Sequence, residues 1–546
     1  MKVKYCMLCV FVLLSFMIQA QEATQQIRIT KRYLNFPVSN ASPRHPLVIK
    51  EGNKELRKFN IRISEGKADY WVGTDVQQYK GKTITISYPS KPAGFQMVQQ
   101  SDDLPGKDSL YRETNRPQFH YSTRIGWVND PNGLVYYKGE YHLFYQHNPY
   151  EVNWENMHWG HAVSKDLIHW EELGEALYPD ELGTMFSGSA VVDENNTAGF
   201  QKGSEKTLVA FYTAHRNDSE VQCMAYSNDA GRTWTKYSGN PIINSTAKWN
   251  SANTRDPKVF WHEQSRKWVM VLFERDGQSF YNSDDLKKWT YLSHIGGFWE
   301  CPEMFQLPID GDKSKQKWVL YGMSGTYMIG EFDGREFKPE TEKLKYYEGP
   351  QMAPQTYNNI PASDGRRIQI GWGSIVHPGM PFNQMMMFPT SLSLRTTKNG
   401  PRLFSEPIRE ISKLHKKSHS WSGLSAADAT AKAKSAAGDL FHVKMRVQIT
   451  DGTTYEVKFN GNQVAHYDMN HNKLNGVFYP GENIEALTMD IEMLIDKTSL
   501  EVYADKGKFT IIKPLPEAKN KSGFEFHGSI KIHSLEIHEL QSAWRR

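Results

Sequence analysis

The chain has 546 residues, 39% hydrophobic and 12% aromatic, with 40 Gly and 26 Pro; single cores rarely pass about 250–300 residues, so several domains are expected. Lys plus Arg (65) nearly balances Asp plus Glu (61), a net charge of +4 that argues against nucleic-acid binding. A mean hydropathy of −0.62, with no apolar run near the ~18 residues of a membrane helix, excludes a polytopic membrane protein.

Residues 1–20 read as a secretory signal peptide: Lys2 and Lys4 precede the apolar stretch 6–18, and Gln19-Ala20 follows. The mature chain is therefore expected to be exported (periplasmic, secreted or surface-associated), without a membrane span after cleavage. Only Cys223 and Cys301 would remain, so stability must come from packed cores and not from a disulfide framework. Residues 21–112 carry alternating strands, such as 59–63 and 82–88, and predict a small N-terminal β-sandwich-like accessory domain. The polar stretches 101–108 and 113–117 read as the linker out of it. Such a domain binds carbohydrate or braces its neighbour, and bracing is the simpler reading.

Across 113–404 a signature recurs. Ser164-Lys165-Asp166 leads to Trp170, Ser227-Asn228-Asp229 to Trp234, and Ser283-Asp284-Asp285 to Trp289. Each follows short β-rich runs (134–137 and 141–145; 207–213; 258–261 and 268–273). Further units start near Glu300 and Ala353. Four short strands repeated at this period predict the blades of a β-propeller. Residues 405–417 read as a polar, short helical linker, and 418–546 as a C-terminal β-sandwich of alternating strands. The Ala-rich segment 426–437 has helix propensity, but the strands around it argue against a helix. The fold class is all-β.

Three acidic motifs stand at strand starts within the repeats: Trp127-Val128-Asn129-Asp130-Pro131-Asn132-Gly133, Arg255-Asp256-Pro257 and Trp299-Glu300-Cys301-Pro302-Glu303. Proline beside each acid fixes φ and removes an amide donor. A propeller gathers the starts of its innermost strands around one channel, so acids far apart in sequence can converge. The bulky residues before Glu300 predict a desolvated, protonated general acid, whereas the Asn- and Gly-rich turn at Asp130 predicts an ionised carboxylate. One acid in each state suits glycoside hydrolysis. Gln146, Trp154, Trp159, Phe186, Ser187 and Trp372 lie near strand ends, where rings can pack on sugars and amides can bond hydroxyls. His158 and His161 lack a third ligand in sequence, so no metal is assigned there. Cys301 lacks a His partner in its motif and is expected to pack behind Glu300.

The motifs WVNDPNG, FSGS (186–189), RDP and ECP, in this order, resemble those of glycoside hydrolase family 32, the invertases, inulinases and levanases. FYQHNP (144–149), HWGHAVSKDLIHW (158–170), GRRIQIGW (365–372) and SLEVYADKGKFTI (499–511) extend the resemblance toward the C-terminus. It implies a five-bladed propeller followed by a sandwich, and a retaining mechanism. By position, Asp130 matches the nucleophile, Glu300 the acid/base and Asp256 the transition-state stabiliser. Asn129, Gln146, Trp154, Phe186, Ser187, Arg255 and Trp372 match residues lining the fructose pocket. The two reacting carboxyl groups are then expected about 5–5.5 Å apart, with no metal or organic cofactor. The implied substrate is a fructan or sucrose-type sugar, most readily levan or inulin attacked from the chain end. Endo-levanase, sucrose-preferring invertase and fructosyl transferase are the enzymatic alternatives, and a non-catalytic fructan binder the alternative of another class. The segment 348–355 lacks the family's Asp and Phe-Tyr pair, so linkage preference is not implied. The N-terminal domain lies outside the family's two-domain core.

Overall fold

The computed structural model describes residues 22–479, 488–518 and 520–544; the expected signal peptide lies outside them. The chain divides between Pro105 and Gly106 into two compact units. In the first, strands Ala23–Arg28, Thr83–Tyr88, His45–Glu51 and Lys54–Ile61 form one sheet in that spatial order, and Tyr70–Asp75, Tyr33–Val38 and Gln99–Ser101 form a second. Alternate side chains point inward, as the period of a strand dictates: Leu47 with Ile49, and Ile84 with Ile86. The sheets meet where the rings of Phe36 and Phe59 lie 5.9 Å apart.

The second unit opens with five antiparallel modules of four strands each. Their first strands are β1 (Gly126–Tyr137), β2 (Thr184–Asp193), β3 (Thr254–His262), β4 (Glu303–Ile309) and β5 (Gln351–Thr356). The modules stack face to face, which explains their unbroken apolar runs. In Lys267–Glu274, Trp268, Met270 and Leu272 pack with Phe211 and Met224 of the module before. The intervening Val269 and Val271 pack with Leu320 and Phe332 of the module after. With both faces buried, hydrophobic alternation disappears from the sequence.

The ring closes where Ile368 and Ile370 of the fifth module share a core with Val128 and Tyr145 of the first. Phe382–Asn383 also pairs in parallel with Gly126 and Trp127. These sheets form a five-bladed propeller. Arg116 seals the same seam. It is fully buried, its guanidinium lies 3.5 Å from the centre of the Phe382 ring, and it donates to Ser122 Oγ at 3.0 Å. The stretch 113–117, expected as linker, is therefore anchored in the protein through Arg116.

The repeated Ser-x-Asp signature is the last hairpin of a module. In each copy the serine hydroxyl donates to the aspartate two residues on, at 3.2, 2.7 and 3.2 Å. The carboxylate then accepts backbone amides of the turn, and the tryptophan stands beside the fourth strand. The fourth module has a worn copy: Asp333 accepts the amides of Arg335 and Glu336, and Phe337 takes the tryptophan's place.

Within 405–417, Ser405 to Pro407 complete strand Gly400–Pro407, Arg409–Leu414 form a 3-10 helix, and His415 opens the next strand. The C-terminal sandwich is built on β6 (His415–Ser425), β7 (Phe441–Phe459), β8 (Thr488–Ile495) and β9 (Phe524–Leu540), with β9 between β6 and β7. The Ala-rich segment is a helix after all, α1 (Ala426–Ala433). Ser425 caps it by accepting the amide of Asp428, and Ala429 and Ala433 pack into the sandwich core. Small residues let a helix lie close over the sheet, and that packing overrides the strand context.

Candidate active site

The acids are positioned by a backbone irregularity repeated from module to module. In β1 the register with its neighbour slips between Val128 and Pro131, which leaves Asn129 and Asp130 in a bulge. The same slip falls between Met185 and Gly188 in β2, Arg255 and Lys258 in β3, and Met352 and Gln355 in β5. It releases Phe186 with Ser187, Asp256 with Pro257, and Ala353 with Pro354. A bulge turns side chains out of the pleat, and it tolerates proline because the ladder is already broken there. Gly188 is required by crowding: a Cβ on it would lie 1.9 Å from the Phe211 carbonyl oxygen. In the fourth module Glu300 and Cys301 precede β4. Asp256, Glu300 and Cys301 all have positive φ (65°, 38° and 44°), strain of the kind that the surrounding structure must hold in place.

These bulges bring the predicted residues together. Asp130 Oδ2 accepts from Ser187 Oγ at 2.6 Å, and its Oδ1 accepts from Asn129 Nδ2 at 3.2 Å. Asp256 Oδ2 accepts the Cys301 amide at 3.0 Å. The Cys301 thiol lies 3.5 Å from both Asp130 Oδ2 and Asp256 Oδ2, so it packs between the two aspartates and not behind Glu300. Glu300 Oε1 accepts from Arg255 Nη2, while Arg255 Nη1 donates to Glu220 at 3.0 Å and to Asn253 at 3.0 Å. Gln146 Nε2 donates to the Met185 carbonyl, next to Phe186. Trp127 bonds Asn129 Oδ1 through its indole N–H at 2.8 Å and meets Trp372 edge-on. Trp154 is 51% exposed and stands over Phe186, which itself stacks on His215. Trp159 is buried and donates to the Phe186 carbonyl, so it supports the pocket from behind and does not face it.

Burial dominates the electrostatics of both aspartates. Burial raises the pKa of Asp130 despite the opposing bonds from Ser187 and Asn129. Burial, reinforced by the charges of Glu300 and Asp130 against the pull of Arg255, lifts Asp256 to about 7. Trp299, adjacent to Glu300, is 50% exposed and covers less than its bulk suggested. Burial drives the Cys301 thiol well above its usual range, so it stays protonated.

Sequence reasoning did not single out Glu220, Thr213 or Asn253. Glu220 fixes Arg255 and also accepts the Thr254 amide at 2.9 Å, and Thr213 Oγ1 accepts the Asp256 amide at 2.9 Å. Glu220 and Thr213 reach the site from the neighbouring module, and Asn253 lies two residues before Arg255 in the chain. Below the acids, Lys258 and Glu303 form a buried pair at 2.9 Å, and Thr356 bonds both partners, tying β3, β4 and β5 together. His158 and His161 do not form a metal pair: His158 Nδ1 bonds the Asn156 carbonyl, and His161 stacks on Phe144 and bonds His142.

Residues 120–407, more than half the chain, match the glycosyl hydrolases family 32 N-terminal domain. The chain belongs to glycosyl hydrolase family 32. Residues 20–116 match a domain of unknown function (DUF4980). A levanase of Bacillus subtilis (strain 168) is 40% identical over 489 residues, 80% of this chain and 72% of that one. An extracellular exo-inulinase of Aspergillus ficuum is 33% identical over 524 residues, 80% of this chain and 96% of that one. The crystal structure of an exo-inulinase from Aspergillus awamori superposes with a TM-score of 0.70 at 28% identity, covering 80% of this chain and all of that one. Among the described residues of this family 32 member, no helix is long and apolar enough to cross a membrane.

Proposed function

We propose that this chain is an exported, retaining β-fructosidase that removes terminal fructose from levan- or inulin-type fructans. Asp130 attacks the anomeric carbon of the terminal fructose while Glu300 protonates the departing glycosidic oxygen. This step forms a fructosyl ester on Asp130 and frees the shortened chain. Water, deprotonated by the same Glu300, then attacks the anomeric carbon and returns the Asp130 carboxylate with fructose. Asp256 holds fructose hydroxyls. Asn129, Gln146, Trp154, Phe186, Ser187, Arg255 and Trp372 line the sugar pocket.

The observation that carries this reading is the convergence of three acids from separate modules. One thiol touches Asp130 and Asp256, and Arg255, the residue before Asp256, donates to Glu300. The levanase and exo-inulinase names of the relatives support the substrate class and the export. No metal or organic cofactor enters this mechanism. Digests of sucrose, inulin and levan, resolved by ion-exchange chromatography, test it. Free fructose as the sole early product is expected; a ladder of oligomers would make the enzyme endo-acting, and no product from any substrate would sink the hydrolase reading. Fructose released initially in the anomeric form of the substrate bond is the expected sign of retention.

A further inference from the structure

The C-terminal sandwich gathers three histidines from three adjacent strands. His415 opens β6, His442 is the second residue of β7, and His538 lies near the end of β9 between them. The ladder sets this arrangement: His442 and Ser418 are the register partners of His538 on its two sides. The rings of His415 and His538 stack 4.0 Å apart, and the His442 ring lies 5.3 and 5.4 Å from them. His415 Nε2 and His442 Nδ1 are 3.0 Å apart, and one nitrogen from each ring falls within 4.8 Å of the other two. Among the described residues, this is the cluster of three or more such side chains with metal-ligand spacing.

We propose that His415, His442 and His538 bind a divalent transition-metal ion of the zinc class, which clamps β6, β9 and β7 together. A zinc–imidazole bond is about 2.0–2.1 Å, so two nitrogens at this separation subtend about 94° at a shared ion, within reach of a distorted tetrahedron. The third nitrogen, from His538, lies within 4.8 Å of the other two and closes on the ion by rotation of its ring. The far side of the cluster has the partner that metal-bound histidines commonly carry. His442 is buried, and its Nε2 lies 2.6 Å from Glu492 Oε1 on β8. A carboxylate there fixes the ring and aims Nδ1 at the ion. Lys444 balances Glu492 at 3.4 Å. Ser418 Oγ lies 2.8 Å from His538 Nδ1, and Glu536 Oε2 lies 3.4 Å from His538 Nε2. The site is separate from the acids of the propeller, so its role is structural.

The test uses the full chain, stripped with chelator and titrated with zinc chloride, read by calorimetry, elemental analysis after dialysis and thermal unfolding. About one zinc per chain and a rise in Tm of about 2–5 °C are expected. Glu492→Gln is expected to weaken zinc binding about 10–100-fold. His442→Ala is expected to abolish it, and His538→Gln, at a partly exposed ring, does the same with less risk to folding. Circular dichroism and fructose release report that the variants are folded. Wild-type chain that takes up no stoichiometric zinc, or a folded His538→Gln variant that binds it as tightly as wild type, would overturn the proposal.

Discussion

Asp256 and Asp496 are both buried aspartates of the same unit, yet their environments drive them in opposite directions. Burial raises both. At Asp496 it is outweighed by the His120 ring at 2.8 Å and the Gln118 amide at 2.9 Å, so the carboxyl is held below its usual range. His120 in turn bonds Glu501 Oε1 at 2.6 Å, and the two acids lift it to about 9 against the burial that lowers it. At Asp256 the neighbours include Glu300 and Asp130, like charges that add to burial, and the pKa rises to about 7. One cluster sets a cation between its two acids and locks the start of the propeller to the sandwich. The other holds its charges poised against each other, which suits groups that must exchange protons and bind a substrate.

The sharpest way to break this comparison is to neutralise the acids of the pocket. Asp130→Asn is expected to lower kcat by about 10⁴-fold or more, and Glu300→Gln by about 10²–10⁴-fold. Unchanged circular dichroism would show that the fold persists; near-normal turnover in either variant would defeat the assigned roles. At the Asp496 cluster, His120→Ala strands two buried carboxylates and is expected to cost about 3–5 kcal/mol of stability, read by urea unfolding. The sign with pH follows from the raised pKa of His120. Its contribution is complete below 6.5 and is lost as pH rises through about 9. The alkaline loss of wild-type stability is therefore expected to be blunted in His120→Gln.

Asp256→Asn should act in the reverse sense. A raised carboxyl pKa penalises the folded state progressively from pH 3.8 to about 7. Removing the charge is expected to stabilise the protein by about 1–3 kcal/mol above that range while impairing hydrolysis. A fall in Tm at pH 8 would contradict it. The smallest effect expected is in Ser187→Ala, which removes a bond that lowers the Asp130 pKa. The acidic limb of kcat/KM against pH should move to higher pH, and an unmoved limb would contradict it.

The propeller was legible because its hairpin turns are local: a serine, an aspartate two residues on and a tryptophan specify the motif wherever it recurs. The fourth copy has no such signature because Asp333 makes the turn without the serine and with Phe337 for tryptophan. The helix Ala426–Ala433 departs from expectation because its cap at Ser425 and the packing of Ala429 and Ala433 outweigh the strand context around it. At the site the acids are legible through proline, which marks the bulge at Asp130 and Asp256 and follows Glu300 and Cys301 where β4 begins. The thiol between Asp130 and Asp256, the grip of Glu220 on Arg255, and the partners of His120 more than 370 residues away had no sequence signal. Those contacts come from strand pairing and sheet stacking, which link positions with no fixed spacing along the chain.

The recurrent bulge has a consequence for how such a pocket can change. Four of the five sheets offer the same main-chain socket, and the side chain plugged into it is decided independently in each. Three of them hold Asp130, Phe186 with Ser187, and Asp256, whereas the fifth holds Ala353, which carries no functional group. The side chain at one bulge can therefore change while the acids at the others, and the ladders around them, stay as they are.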